Sequence, residues 1–138
     1  MVFATDIREI SMSCGPCFGT CPVFDVKLTR DGHNFRYEGH RYTEPLGLKT
    51  GKFPEHLFKK ISEICIDLDI LSLDDVYPSD LEDTPQTRYT IRYSNQIKTI
   101  VDEGDGKAPT RLWAFGVLIE NVVRTAFSIE DRKRLTRG

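Results

Sequence analysis

The chain has 138 residues and a formal net charge of −2. That is the length of one domain, enough to bury a core without cross-links, and so even a charge balance excludes a global electrostatic pull towards nucleic acid or an anionic membrane. No apolar run has the length of a bilayer span, and Met1-Val2-Phe3-Ala4-Thr5-Asp6 has no basic stretch leading into an apolar one. Neither a membrane segment nor a secretory signal is therefore expected, and the chain is expected in the cytoplasm.

Residues 5–13 read as a first strand with Ile7, Ile10 and Met12 as its apolar positions, although their spacing is irregular. Next comes Cys14-Gly15-Pro16-Cys17-Phe18-Gly19-Thr20-Cys21-Pro22, which holds three of the four cysteines. Cys-Gly-Pro-Cys is the spelling of a thioredoxin active site, where the first thiolate caps a helix. Gly19 and Pro22 oppose a helix here, and an alternating strand follows instead. A metal site is a second reading, with Cys14, Cys17 and Cys21 as thiolates and Cys65, His33 or His40 as the fourth ligand of a zinc ion. A third makes the cysteines small buried hydrophobes. A fourth is a disulfide, Cys17–Cys21 or Cys14–Cys17, which a reducing cytosol disfavours.

Residues 23–30 and 33–38 alternate apolar and polar side chains about Asp31-Gly32, the signal of a hairpin with a two-residue turn. The fold-back pairs Leu28 with Phe35 and Val26 with Tyr37, and sets Lys27 opposite Arg36 and Asp25 opposite Glu38. Residues 39–53 read as a connection, with a short strand over 41–43. Gly47-x3-Gly51-Lys52 is one residue short of a phosphate-binding loop, and Phe53 stands where its Ser or Thr must be. Residues 54–68 form an amphipathic helix whose stripe is Leu57, Phe58, Ile61, Ile64, Cys65 and Leu68, so Cys65 is a core residue and His56 lies off the stripe. Residues 67–83 carry seven carboxylates and no Lys or Arg, without the spacing of a calcium loop, and read as a solvated acidic loop.

Residues 87–93 and 97–101 form a second hairpin. A three-residue turn, Ser94-Asn95-Gln96, keeps Tyr93 with Ile97 and Tyr89 with Val101. A second helix runs from Pro109 to about residue 127, with Leu112, Phe115, Ile119, Val122, Val123 and Ala126 inward, and 128–138 is a basic tail. The order strand, hairpin, helix, hairpin, helix makes one α+β domain over 1–138: an antiparallel sheet of about five strands with both helices on one face.

The motif Pro16-Cys17-Phe18-Gly19-Thr20-Cys21-Pro22-Val23-Phe24 resembles the signature Pro-Cys-Phe-Gly-x-Cys-Pro-x-Tyr/Phe of an uncharacterised bacterial family of domains of unknown function. The likeness extends through Asp31-Gly32, Tyr37-Glu38-Gly39, the first helix and the loop 102–109. It implies that Cys17 and Cys21 belong to the motif and that Cys14 is an addition. It implies no activity. The chain departs from the pattern at Phe53, where a Ser-type helix cap is expected.

Helices on one face leave the other open, and there the alternation places Lys27, Arg36, Arg88, Arg92 and Lys98. The leading functional expectation is a non-enzymatic interaction module that docks an acidic protein or a small anionic ligand on this basic face. RNA is disfavoured, because Phe24, Phe35, Tyr37, Tyr89 and Tyr93 fall on the buried side, away from any base. No nucleophile–base–acid constellation surrounds His33, His40 or His56, and a pair of Cys17 or Cys21 with His40 is the one catalytic geometry left open. The alternative class is thiol redox or metal binding through Cys14, Cys17 and Cys21. No cofactor is expected beyond a zinc ion in that alternative.

Overall fold

The computed structural model describes residues 1–137. Seven strands form one sheet: β1 (Ile7–Cys14), β2 (Val23–Thr29), β3 (Asn34–Arg41), β4 (Gly47–Lys52), β5 (Val76–Tyr77), β6 (Thr87–Tyr93) and β7 (Gln96–Asp102). Their spatial order is β4-β3-β2-β1-β6-β7-β5. All pairs are antiparallel except β5 with β7, so the sheet is mixed and has two strands more than expected. Helices α1 (Glu55–Asp67) and α2 (Thr110–Arg137) touch each other and share a single core with one face of the sheet.

The irregular spacing in β1 is a β-bulge. Its register against β6 shifts between Ile7 and Glu9, so Ile7 and Ile10, three residues apart, both point into the core. The β2–β3 register is the expected one, with Leu28 opposite Phe35, Val26 opposite Tyr37, Lys27 opposite Arg36 and Asp25 opposite Glu38. The turn is wider than two residues: the last pair is Thr29 with Asn34, and a 3₁₀ turn over Asp31–His33 closes it.

Three expectations are corrected here. The connection 39–53 contains β4, a full edge strand beside β3, rather than a strand over 41–43. The β6–β7 turn has two residues, so Tyr93 pairs with Gln96, Ile91 with Lys98 and Tyr89 with Ile100. This puts Lys98 on the helix side and leaves Ile97 61% exposed. The arrangement holds because the Lys98 ammonium finds acceptors there, the Leu73 carbonyl and the Asp75 carboxylate at 2.7 Å. Third, the acidic segment is built in rather than simply solvated. It contains buried Ile70 and Leu73 and the strand β5, and Lys107 holds Asp80 at 2.9 Å.

Phe53 takes a different part from the cap expected there. Pro54 is the N-cap of α1, and Phe53, just before it, packs on Phe58 with ring centroids 6.2 Å apart. This is a hydrophobic staple, which sets the angle at which the chain enters the helix. Helix α2 passes through Ser128 without a break, so the tail expected over 128–138 is helical as far as the described residues reach. Residues Thr110–Lys133 have the length and apolarity of a membrane-crossing segment, correcting the expectation that no such run exists. The stripe Leu112, Phe115, Ile119, Val123 and Ala126 is nevertheless buried in the core, as a sheet-packed helix requires.

Candidate functional site

The cysteine loop sits at one end of the sheet, between β1 and β2. Its start is tied to the residue just before β6 by the Gly15 amide, which donates to the Gln86 carbonyl at 2.8 Å. No helix starts in residues 15–22, which removes the geometry that a thioredoxin-type thiolate needs. Cys17 and Cys21 are joined in a disulfide with a Cα–Cα distance of 5.8 Å. The bridge closes a five-residue loop, replaces the reading of these two cysteines as small buried hydrophobes, and decides between the two pairings. Both cysteines are half-buried. Phe18 at the apex is 87% exposed. Its amide donates to Asp83 Oδ1 at 3.0 Å, and the Gly19 amide donates to Cys17 Sγ at 3.3 Å. A small cleft of about 160 Å³ lies between Pro16-Cys17-Phe18 and Glu82-Asp83-Thr84.

The remaining thiols are unsuited to chemistry. Burial pushes the Cys14 thiol up to about 11, against a weak hydrogen bond from Thr87 and with help from the charges of Glu120 and Asp25. Burial alone pushes Cys65, on the buried face of α1, up to about 12. At pH 8 about one Cys14 in a thousand is then a thiolate. Native oxidised protein is expected to show no fast-reacting thiol towards an aromatic disulfide reagent, and two, Cys14 and Cys65, after denaturation. A fast thiol in the native protein overturns the closed bridge.

Among the described residues no three His, Cys, Asp or Glu side chains gather as a metal site. Of the ligands considered, Cys17 and Cys21 hold each other, Cys65 is in the core, and His40 Nε2 lies 2.9 Å from Asp25 Oδ2. That contact also occupies the histidine of the open cysteine–histidine pair. Burial works against ionisation of Asp25, but hydrogen bonds from His40 and Ser13 and the charges of His40 and Arg36 outweigh it and hold the carboxyl below its usual range.

On the open face the structure places Lys27, Arg36, Arg88 and Arg92 as the alternation implied, without Lys98. Three of the four are ion-paired. Glu9 lies 3.2 Å from Lys27 and 3.7 Å from Arg92, and Glu38 lies 3.0 Å from Arg36. The face is thus mixed in charge, and of these four cations Arg88 is the one without an ion pair among the described residues. Arg88 pairs in register with Ser13, one residue before the cysteine loop begins. Sequence reasoning missed Glu9 and Asp83. Glu9 sits beside a bulge that breaks the alternation, and Asp83 reaches the loop across 65 positions, so neither carried a local signal.

Fold and site together define a small α+β domain with a mixed seven-stranded sheet, two helices on one face and a disulfide-closed aromatic turn at one end. The chain belongs to a family described as a domain of unknown function (DUF6438), whose profile matches residues 8–123 and so includes the whole cysteine loop. No curated protein matches the chain.

Proposed function

We propose that this domain is a non-enzymatic interaction module whose contact with its partner is centred on Phe18, with Arg88, opposite Ser13 at the same end of the sheet, as a second contact. The observation that supports this reading is the aromatic ring at the apex of a loop fixed by a bridge and by the Asp83 and Gln86 anchors. A phenylalanine so exposed adds nothing to the core, and a loop already held in one shape loses little entropy on docking. The partner this suits is a protein with an apolar pocket rimmed by carboxylates, the pocket for the ring and a carboxylate for Arg88. The acidic partner expected from the sequence is retained, on one cation instead of five.

The test places a photo-cross-linking phenylalanine analogue at position 18 of the full chain in its own cells. One dominant adduct is expected, competed by the unlabelled wild-type chain and poorly by Phe18→Ala, whose affinity should fall about thirtyfold or more, as at other aromatic hot spots. Arg88→Glu should compete poorly as well. Adducts that Phe18→Ala competes as well as wild type remove the loop from consideration.

A second reading, reversible thiol redox at Cys17 and Cys21, is favoured by the Gly19 amide on Cys17 Sγ. A thiolate of a protein dithiol attacks Cys21 Sγ, the Cys17–Cys21 bond breaks, and Cys17 leaves as a thiolate that the Gly19 N–H stabilises. The second thiol of the donor then displaces Cys21, giving a reduced loop and an oxidised donor. A cytoplasmic location is compatible with a bridge that cycles in this way, whereas a permanently closed bridge belongs to an oxidising compartment. Trapping thiols in intact cells separates the two.

A further inference from the structure

We propose that the outer edge of β4 accepts an extended peptide as an eighth strand, and that a lysine or arginine of that peptide seats in the cavity between β4 and the C-terminal turns of α2. This site is separate from the Phe18 loop and does not depend on it.

The two edges of the sheet differ. β5 has two residues, too few to act as a template, whereas β4 has six and no proline. All of β4 is exposed except Gly51, which is half-buried, so neither a helix nor a loop covers the edge. Its free hydrogen-bonding groups follow from the ladder. The Phe53 amide donates to the His33 carbonyl, and antiparallel alternation then makes Phe35–Gly51, Tyr37–Lys49 and Gly39–Gly47 the hydrogen-bonded pairs with β3. Leu48, Thr50 and Lys52 therefore turn their N–H and C=O groups outward. Three donors and three acceptors in a row recognise an extended backbone.

The cavity supplies the side-chain preference. It encloses about 380 Å³ on the helix side of β4, with Phe35, Phe127 and Pro45 as apolar walls and Lys49, Glu130 and Asp131 around them. A strand added to β4 continues the pleat, so every second side chain falls on the helix side, next to Lys49 and Gly51. Gly51 keeps the way open: a Cβ there would lie 2.9 Å from the Phe35 ring and 3.1 Å from Glu130 Cγ. The lining carries two carboxylates and one ammonium, and the Lys133 ammonium at Glu130 is the group that a cation of the peptide would displace. A long basic side chain fits this chemistry, its methylenes along the Phe127 ring and its head at Glu130. Among the described residues Glu130 is ion-paired with the exposed Lys133, at 3.7 Å and three residues on, and a guanidinium from the peptide offers it a better-defined bidentate partner. Phe127 and Glu130 lie beyond the 8–123 match, so this cavity is not carried by the family resemblance.

The probe is a library of nine-residue acetylated, amidated peptides in which threonine alternates with a randomised position, selected on the full-length protein. Lysine and arginine should be enriched over aspartate and glutamate about tenfold at a randomised position. Glu130→Gln should remove that preference while peptides still bind. Thr50→Pro, which deletes an outward amide on an edge that tolerates proline, should abolish selection. In the wild-type protein, amide exchange at Leu48, Thr50 and Lys52 should slow when a selected peptide is added, a readout that needs no variant. No enrichment, enrichment of acidic residues, or protection elsewhere overturns the proposal. So does a concentration-dependent dimer that Thr50→Pro dissolves, since a second copy would then occupy the edge.

Discussion

Gly39→Ala is expected to destabilise the domain by about 3 kcal/mol, a large fraction of the stability of a chain this size. Gly39 lies in β3 opposite both Phe24 and Gly47. A Cβ there would stand 2.1 Å from the Pro45 carbonyl oxygen and 3.0 Å from both Thr43 Cγ2 and Tyr37 Oη. The closest of these is a backbone atom, which cannot rotate aside as a side chain can. Segment 42–46 must move off the sheet, and the 3.0 Å hydrogen bond between the Tyr37 and Thr43 hydroxyls goes with it. Gly47→Ala is the control. Its φ is +86° and nothing lies within 4 Å of the added carbon, so only the left-handed backbone is penalised, by about 1 kcal/mol. Urea midpoints of the two variants at equal m values measure the difference. Equal midpoints would mean that segment 42–46 yields easily. The wall that Pro45 contributes to the peptide cavity would then be soft as well.

The same contrast between local pattern and long-range closure explains what the sequence revealed. The β2–β3 register was legible because a strict two-residue period leaves one pairing that keeps Val26, Leu28, Phe35 and Tyr37 on a single face. The α1 stripe was legible for the equivalent reason at helical spacing. β7 was misread because the same rule was applied to Ile97 and Val101, while the deciding partners of Lys98, the Leu73 carbonyl and Asp75, arrive from another segment. β4 was missed because Gly-Leu-Lys-Thr-Gly-Lys has an edge strand's composition, with two glycines and no buried apolar face to impose alternation. At the site, the residue types of the cysteine loop were visible, but the pairing was not. The open face was overrated, since Glu9 and Glu38 neutralise three of its cations at short range.

Opening the Cys17–Cys21 bridge is expected to lower the unfolding free energy by about 2 kcal/mol, the chain-entropy value for a five-residue loop. The effect acts mainly on the unfolded chain, because the bridge lies outside the core cluster and its removal leaves no cavity there. The comparison needs three samples in urea: oxidised wild type, wild type in dithiothreitol, and the double variant Cys17→Ser, Cys21→Ser. The last two should coincide, both below the first. Reductant acts on this bridge alone, since Cys14 and Cys65 are already thiols and burial keeps both protonated. If reduced and oxidised wild type unfold together, the bridge does not brace the loop, and the Asp83 and Gln86 contacts hold Phe18 without it. The disulfide would then be left with the redox role as its physical rationale, because a link that adds no stability and stays half-exposed is the kind that exchanges with passing thiols. If instead the midpoint falls as expected and the Phe18 cross-link weakens in the same samples, stability and presentation of the ring have one cause. Affinity should then fall on reduction by the entropy of re-ordering five residues, up to about 1 kcal/mol for each backbone unit set free.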